Sequence, residues 1–220
     1  MKKFILVIAA AAFLGCNREK ENTQLINPGG MELSVQPGGH WLEKVKLFFI
    51  FYRDRTPQMA AWIEDDQGKY ISTITVTNKN AKKKWSFAPK EGRPEALPVW
   101  NNAIKNDSTQ VDSVSAATSK VAVDVQVNDG SLINGHKYNV YLEINHSFDY
   151  NDIWTKDNSG VNGQPSLIYH GKFIAGTSGK IPLNPIGYGS VDGSDGNIVN
   201  TLNGITTALT IVSEAYIIAK

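Results

Sequence analysis

The chain is 220 residues long and nearly neutral, with 22 Lys or Arg against 21 Asp or Glu and a formal net charge of +1. That balance leaves no electrostatic footprint for nucleic acid, which is not an expected partner. Cys16 is the single cysteine, so the chain after it has no internal disulfide and no cysteine nucleophile, and a core alone must stabilise it.

The chain opens MKKFILVIAAAAFLGC. Lys2 and Lys3 form a basic n-region, Phe4 to Leu14 an apolar stretch, and Gly15 precedes the cysteine, which is the layout of an export signal. The apolar stretch falls short of the ~20 residues that a permanent membrane-spanning helix needs. A cysteine at that point and nowhere else resembles the box that ends bacterial lipoprotein signals. The expectation is removal of residues 1–15 and a diacylglycerol thioether on Cys16. That would place the protein in the bacterial cell envelope, held to the membrane by a lipid anchor and facing the periplasm or the surface. Two or more acyl chains anchor stably where one does not. Loss of Lys2 and Lys3 takes the net charge from +1 to −1. Residues 16–30 are polar, end in Pro-Gly-Gly, and read as the lipidated N-terminus and a flexible tether. Residues 31–220 are long enough for a single domain with its own core.

From there the pattern is mostly of period two. Leu47 to Tyr52 (LFFIFY) is continuously apolar and short, as in a strand covered on both faces. Ala60 to Asp65 and Lys69 to Thr77 flank Asp66-Gln67-Gly68, the layout of a hairpin. Glu95 to Asn106 departs from the pattern and predicts a short helical turn near Trp100 to Ile104, with Pro98 near its start. Val121, Val123, Val125 and Val127 alternate with polar or small residues, and Tyr138, Val140, Leu142 and Ile144 do the same. Leu167 to Ile174 and Thr207 to Ala219 complete at least seven strand candidates, and Gly187 to Asn200 reads as a long surface loop. Many short strands, no long amphipathic helix and no βαβ alternation predict an all-β fold, an antiparallel β-sandwich of Ig-like architecture.

Catalytic machinery is not apparent. No GxSxG elbow occurs, and His40, His136, His146 and His170 show neither helical nor finger spacing, so no zinc site is predicted. Asp149 to Asn162 and Asp192 to Asn197 (DGSDGN) carry closely spaced oxygen ligands, with Asp192, Asp195 and Asn197 the candidate cation ligands. Both lack a closing Glu, and the same residues serve turns. Trp41, Trp62 and Trp100 adjoin apolar runs and read as core. Trp154, beside the first Asp/Asn-rich loop, is the tryptophan expected to be exposed.

AAWIEDDQGKYISTI (60–74), LPVWNNA (97–103) followed by VDSVSAATSK (111–120), and KYNVYLEIN (137–145) resemble, in that order, a bacterial family of predicted periplasmic proteins of unknown function. Members are often encoded beside, or fused to, flavin transferases and PepSY-type membrane redox domains. Within it, VDSVSAAT is similar to the acceptor motif of covalently flavinylated proteins. There a magnesium-dependent transferase moves FMN from FAD to a Thr hydroxyl as a phosphoester. The resemblance implies Thr118 as the acceptor, with Asp112, Ser115 and Ala117 in matching positions and Ala116 where the motif has Gly. It implies covalent FMN as cofactor, a flavin transferase or membrane redox protein as partner, and a non-catalytic accessory role in extracytoplasmic redox chemistry. The alternative is an envelope or surface module that binds a glycan or a protein.

Overall fold

The computed structural model describes residues 30–48, 51–83, 85, 90, 92–106, 115–116, 120–127 and 130–219. Strands β1 (Met31–Pro37), β7 (Val123–Val127), β10 (Gly179–Pro182) and β12 (Val212–Ala219) form one sheet in the order β10-β12-β1-β7. A second sheet runs β11-β9-β8-β4-β5-β6, built from β4 (Gln58–Asp65), β5 (Tyr70–Thr77), β6 (Ser115–Ala116), β8 (Lys137–Asn145), β9 (Leu167–Ile174) and β11 (Asn184–Tyr188). All pairings are antiparallel except β5 with β6, which is parallel. The sandwich expected from the alternation is present. Met59, Ala61 and Ile63 of β4, and Val140, Leu142 and Ile144 of β8, share one buried cluster with Leu33 and Val35 of β1 and Ile217 of β12.

Two expectations need correction. LFFIFY is not one strand: β2 (Glu43–Phe48) and β3 (Phe51–Arg55) form a separate antiparallel hairpin that pairs Phe48 with Phe51. A continuous apolar run gives no period from which to read a reversal of direction. Thr207 to Ala219 is also divided, because Thr207–Thr210 forms a 3-10 turn and β12 starts at Val212. The 66–68 hairpin is as expected, with Gly68 at φ +79° donating its N–H to the Asp65 carbonyl at 3.2 Å.

The sandwich has two distinct ends. At one end lie the first residue of β1, the last of β12 and the start of β10, tied by the pairs Glu32↔Ile218 and Gly179↔Ala219, and the start of β8, where Lys137 and its partner Ile174 line one cavity with Gly179. We call this the entry end. At the other end β1 runs on to Trp41, whose carbonyl lies 3.1 Å from His146 Nε2 just past β8. The nine residues of β8 separate the two ends by ~30 Å.

The outer face of the six-stranded sheet is sealed in its far half. Helix α2 (Pro98–Ala103), with Pro98 in its first turn, lies across it. Leu97, Val99 and Trp100 pack there on Ala60, Trp62, Val76 and Ile168. One polar group sits beneath this layer. Glu143 is fully buried and accepts hydrogen bonds from the Val99 N–H (3.2 Å), the Trp100 N–H (2.8 Å) and Ser166 Oγ (2.6 Å). It satisfies two of the amides that the first turn of a helix leaves without partners. The Trp100 indole N–H donates to Thr73 Oγ1 at 3.0 Å, a second tie to the sheet. Burial raises the Glu143 carboxyl from the ordinary 4.5 to about 7, against the three donors that favour its charged form.

Stability should therefore vary with pH. Between pH ~4.5 and ~7 Glu143 keeps its proton when folded and loses it when unfolded, so its contribution is complete below pH 4.5 and declines as pH rises through 7. The decline amounts to on the order of 3 kcal/mol. Denaturant titrations from pH 4.5 to 8 should show Glu143→Gln losing that slope relative to wild type, whereas parallel curves would refute the assignment.

Candidate functional site

Cys16, Asp112, Ala117 and Thr118 lie outside the described residues. Ser115 and Ala116 form β6, the strand beyond β5 in the six-stranded sheet, pairing Ser115 with Val76 and Ala116 with Thr77. Ala116 is therefore extended, and alanine in place of glycine carries no positive-φ cost there. On the far side of 117–119, Lys120 Nζ lies 3.0 Å from Asp54 Oδ2.

In the oxygen-rich loops, Asp149, Asp192 and Asp195 spend carboxylate oxygens on the protein. Asp192 Oδ1 accepts the Ser194 N–H (3.0 Å) and Asp195 Oδ1 accepts the Asn197 N–H (2.9 Å), both Asx turns. Asp149 accepts from Gln164 Nε2 (2.8 Å) and from Thr207 Oγ1, and Asn151 Oδ1 accepts the Ile153 and Trp154 N–H groups (2.9 and 2.7 Å). Among the described residues, no three His, Cys, Asp or Glu side chains gather as a metal requires. The histidines are dispersed: His40 pairs with Thr210 Oγ1, His170 with Asn139 Oδ1 (3.0 Å), and His146 is buried against the Trp41 carbonyl.

Trp41, Trp62 and Trp100 are core, each 1% exposed or less. On the outer sheet face Trp62, Tyr141 and His170 stack on one another, with centroids 5.2 and 4.7 Å apart. Tyr141 is thus covered on both faces, and Trp62 is fully buried. Trp154 is not the exposed aromatic. It is half-buried and meets Tyr188 edge-on at 5.7 Å, because the Asn151 turn folds it back onto the core. The exposed aromatics are Tyr52, 62% exposed on β3, and Phe148 and Tyr150, 48% and 36% exposed on the loop after β8.

Phe148 and Tyr150 sit at the far end, and their loop is firmly held. Ser147 is gripped from two sides: Arg55 donates to its carbonyl and Arg93 Nη1 to its Oγ at 2.7 Å. Arg93 also reaches Asn162 Oδ1 (2.8 Å), and Asn162 donates to the carbonyls of Glu95 (2.6 Å) and Val191 (3.0 Å). Phe148 has φ +65°, a left-handed conformation rare for a bulky residue. Its N–H donates to the Val161 carbonyl at 2.9 Å, and its ring lies 5.1 Å from the Arg55 guanidinium. Tyr150 meets Phe148 at 65° and donates its hydroxyl to the Gly160 carbonyl at 2.7 Å. Val161, also exposed, completes an apolar surface edged by Arg55. Nothing in SFDYNDIW announces this, since a loop aromatic has no period and its exposure depends on contacts distant in sequence.

The other side of the loop closes at Gly163, at φ +73°, where an added Cβ would lie 2.5 Å from the Asp149 backbone. Gly163→Ala should destabilise the protein by on the order of 3 kcal/mol, through strain and overpacking together. A shift of the denaturation midpoint corresponding to less than about 1 kcal/mol would mean that the loop yields easily.

Compared with known proteins, the chain matches no family model, no curated protein and no solved structure.

Proposed function

We propose that the chain is a lipid-anchored, non-catalytic module of the bacterial envelope that binds a protein partner with its far end. One observation carries the reading: the exposed aromatics Phe148 and Tyr150 sit on a restrained loop opposite the end where β1 begins. A tether on Cys16 would enter the domain at Met31, so the far end would point away from the membrane. Rings that meet at 65° give a ridge, not the flat surface on which a sugar stacks, and this favours a protein partner over a glycan. Exposed aromatics beside an arginine are also the residue types enriched at protein interfaces.

A photo-cross-linker at position 148 or 150 in cells should give a discrete protein adduct, and one at Asp66 or Lys137 on the entry end should not. Adducts independent of position, or none from the far end, would contradict the reading. Phe148→Gly should remove the adduct from position 150 and raise stability by about 1 kcal/mol, because glycine relieves the left-handed backbone.

A second reading, covalent FMN on Thr118 delivered by a flavin transferase for a membrane redox partner, has its own support. Ala116 pairs with Thr77, two residues before Lys79. The flank of the motif that precedes Thr118 is thus anchored near a cation suited to a phosphoester. Intact mass of protein purified from its native envelope reads the acyl chains and the flavin together. An FMN adduct lost in Thr118→Ala and retained in Ser119→Ala supports this reading, and an unadorned mass removes it.

A further inference from the structure

Beside the aromatic patch, cations gather around one indole. The Lys79 ammonium, on the short helix α1 (Asn78–Ala81), lies 5.5 Å from the Trp85 ring centroid, and the Arg93 guanidinium lies 4.7 Å from it. Arg93 shares Ser147 with Arg55. Arg53, two residues before Arg55 on β3, projects from the same side of the strand. Burial, then the positive charge of Arg53, Arg55 and Arg93, holds the Lys79 pKa below its ordinary 10.5. The four cations therefore feel one another.

Their neutralisation is incomplete. Glu43 pairs with Arg55 and Glu95 with Arg93, at 2.8 Å for the latter, while the neighbouring Asp54 is engaged by Lys120. Among the described residues, no carboxylate is paired with Arg53 or Lys79. Among the described residues, four cations meet two carboxylates, which leaves two positive charges unmatched there. In addition, Arg55 Nε and Trp85 Nε1 are shielded from water and have no acceptor among the described residues. Guanidinium, ammonium and indole N–H groups only donate, so the missing partner is a pure acceptor.

We propose that Arg53 and Lys79, beside Trp85 and backed by the positive charge of Arg55 and Arg93, form a binding site for a phosphate group. A phosphate monoester carries about −1.5 to −2 charges and three free oxygens. It matches the unmatched charge and accepts donors arriving from several elements, whereas a carboxylate supplies half the charge and two oxygens. Arginine forks suit phosphate geometry in particular. The group belongs to a soluble monoester, since a phosphodiester offers one charge and two free oxygens. This site is independent of the partner-binding reading.

The test follows the Trp85 indole N–H by NMR while inorganic phosphate is added to the full chain at constant ionic strength. A saturable shift is expected. Affinity should fall at least tenfold in Arg53→Gln/Lys79→Gln, whose thermal midpoint should match wild type because both side chains are exposed. Glycerol 3-phosphate binding more tightly than inorganic phosphate identifies a soluble ester. No saturable shift with any of these probes, or an equal shift in the double variant, overturns the site.

Discussion

The far end of this sandwich depends on how Ser147 is held. Arg55 comes from the β2–β3 hairpin, Arg93 from the segment before α2, and Ser147 from the chain leaving β8. Two guanidinium hydrogen bonds thus join three segments at one residue. Hydrogen bonds to charged groups contribute roughly 1.5–3 kcal/mol each, enough to offset the ~1–2 kcal/mol of a left-handed non-glycine residue. The positive φ of Phe148 is sustained by its neighbours and displays an apolar ring that a relaxed turn would fold away. Arg93 carries the most of this load: it also braces Asn162 on the returning side of the loop, stacks over Trp85, and is only 9% exposed in its side chain.

A second polar anchor explains why display falls to the loops and not to the sheet. Glu143 binds the first turn of α2 and so closes the far half of the outer face under Leu97, Val99 and Trp100. Beside α2, the cross-strand stack of Trp62, Tyr141 and His170 covers both faces of Tyr141. The sheet is thereby committed to packing. Phe148 and Tyr150 are displayed instead from a loop held on this rigid scaffold.

The sequence was legible where burial imposes a period. KYNVYLEIN places Val140, Leu142 and Ile144 inward and Tyr141 and Glu143 outward, and the structure agrees residue by residue. Pro98 marked the start of α2 because proline suits a first helical turn. LFFIFY misled because it has no period, and β10 and β11 were missed because they are short and contain Pro182 and Pro185. The site was hardly legible at all. Phe148 is exposed, and Trp154 is not, for reasons that lie in Arg55, Arg93 and Asn151, none of which marks itself as an anchor in a linear reading. Glu143 looked like an ordinary solvent-facing residue of an alternating strand until α2 covered it.

Partner binding of this kind requires a far end organised before any partner arrives. Amide hydrogen exchange at Phe148 tests this most directly, since its N–H is donated to the Val161 carbonyl in the held loop and to no regular strand. Protection comparable to that of Leu142 in the centre of β8 is the predicted result. Exchange at the rate of an open loop amide, with β8 still protected, would contradict it and reduce the exposed aromatics to a mobile surface segment.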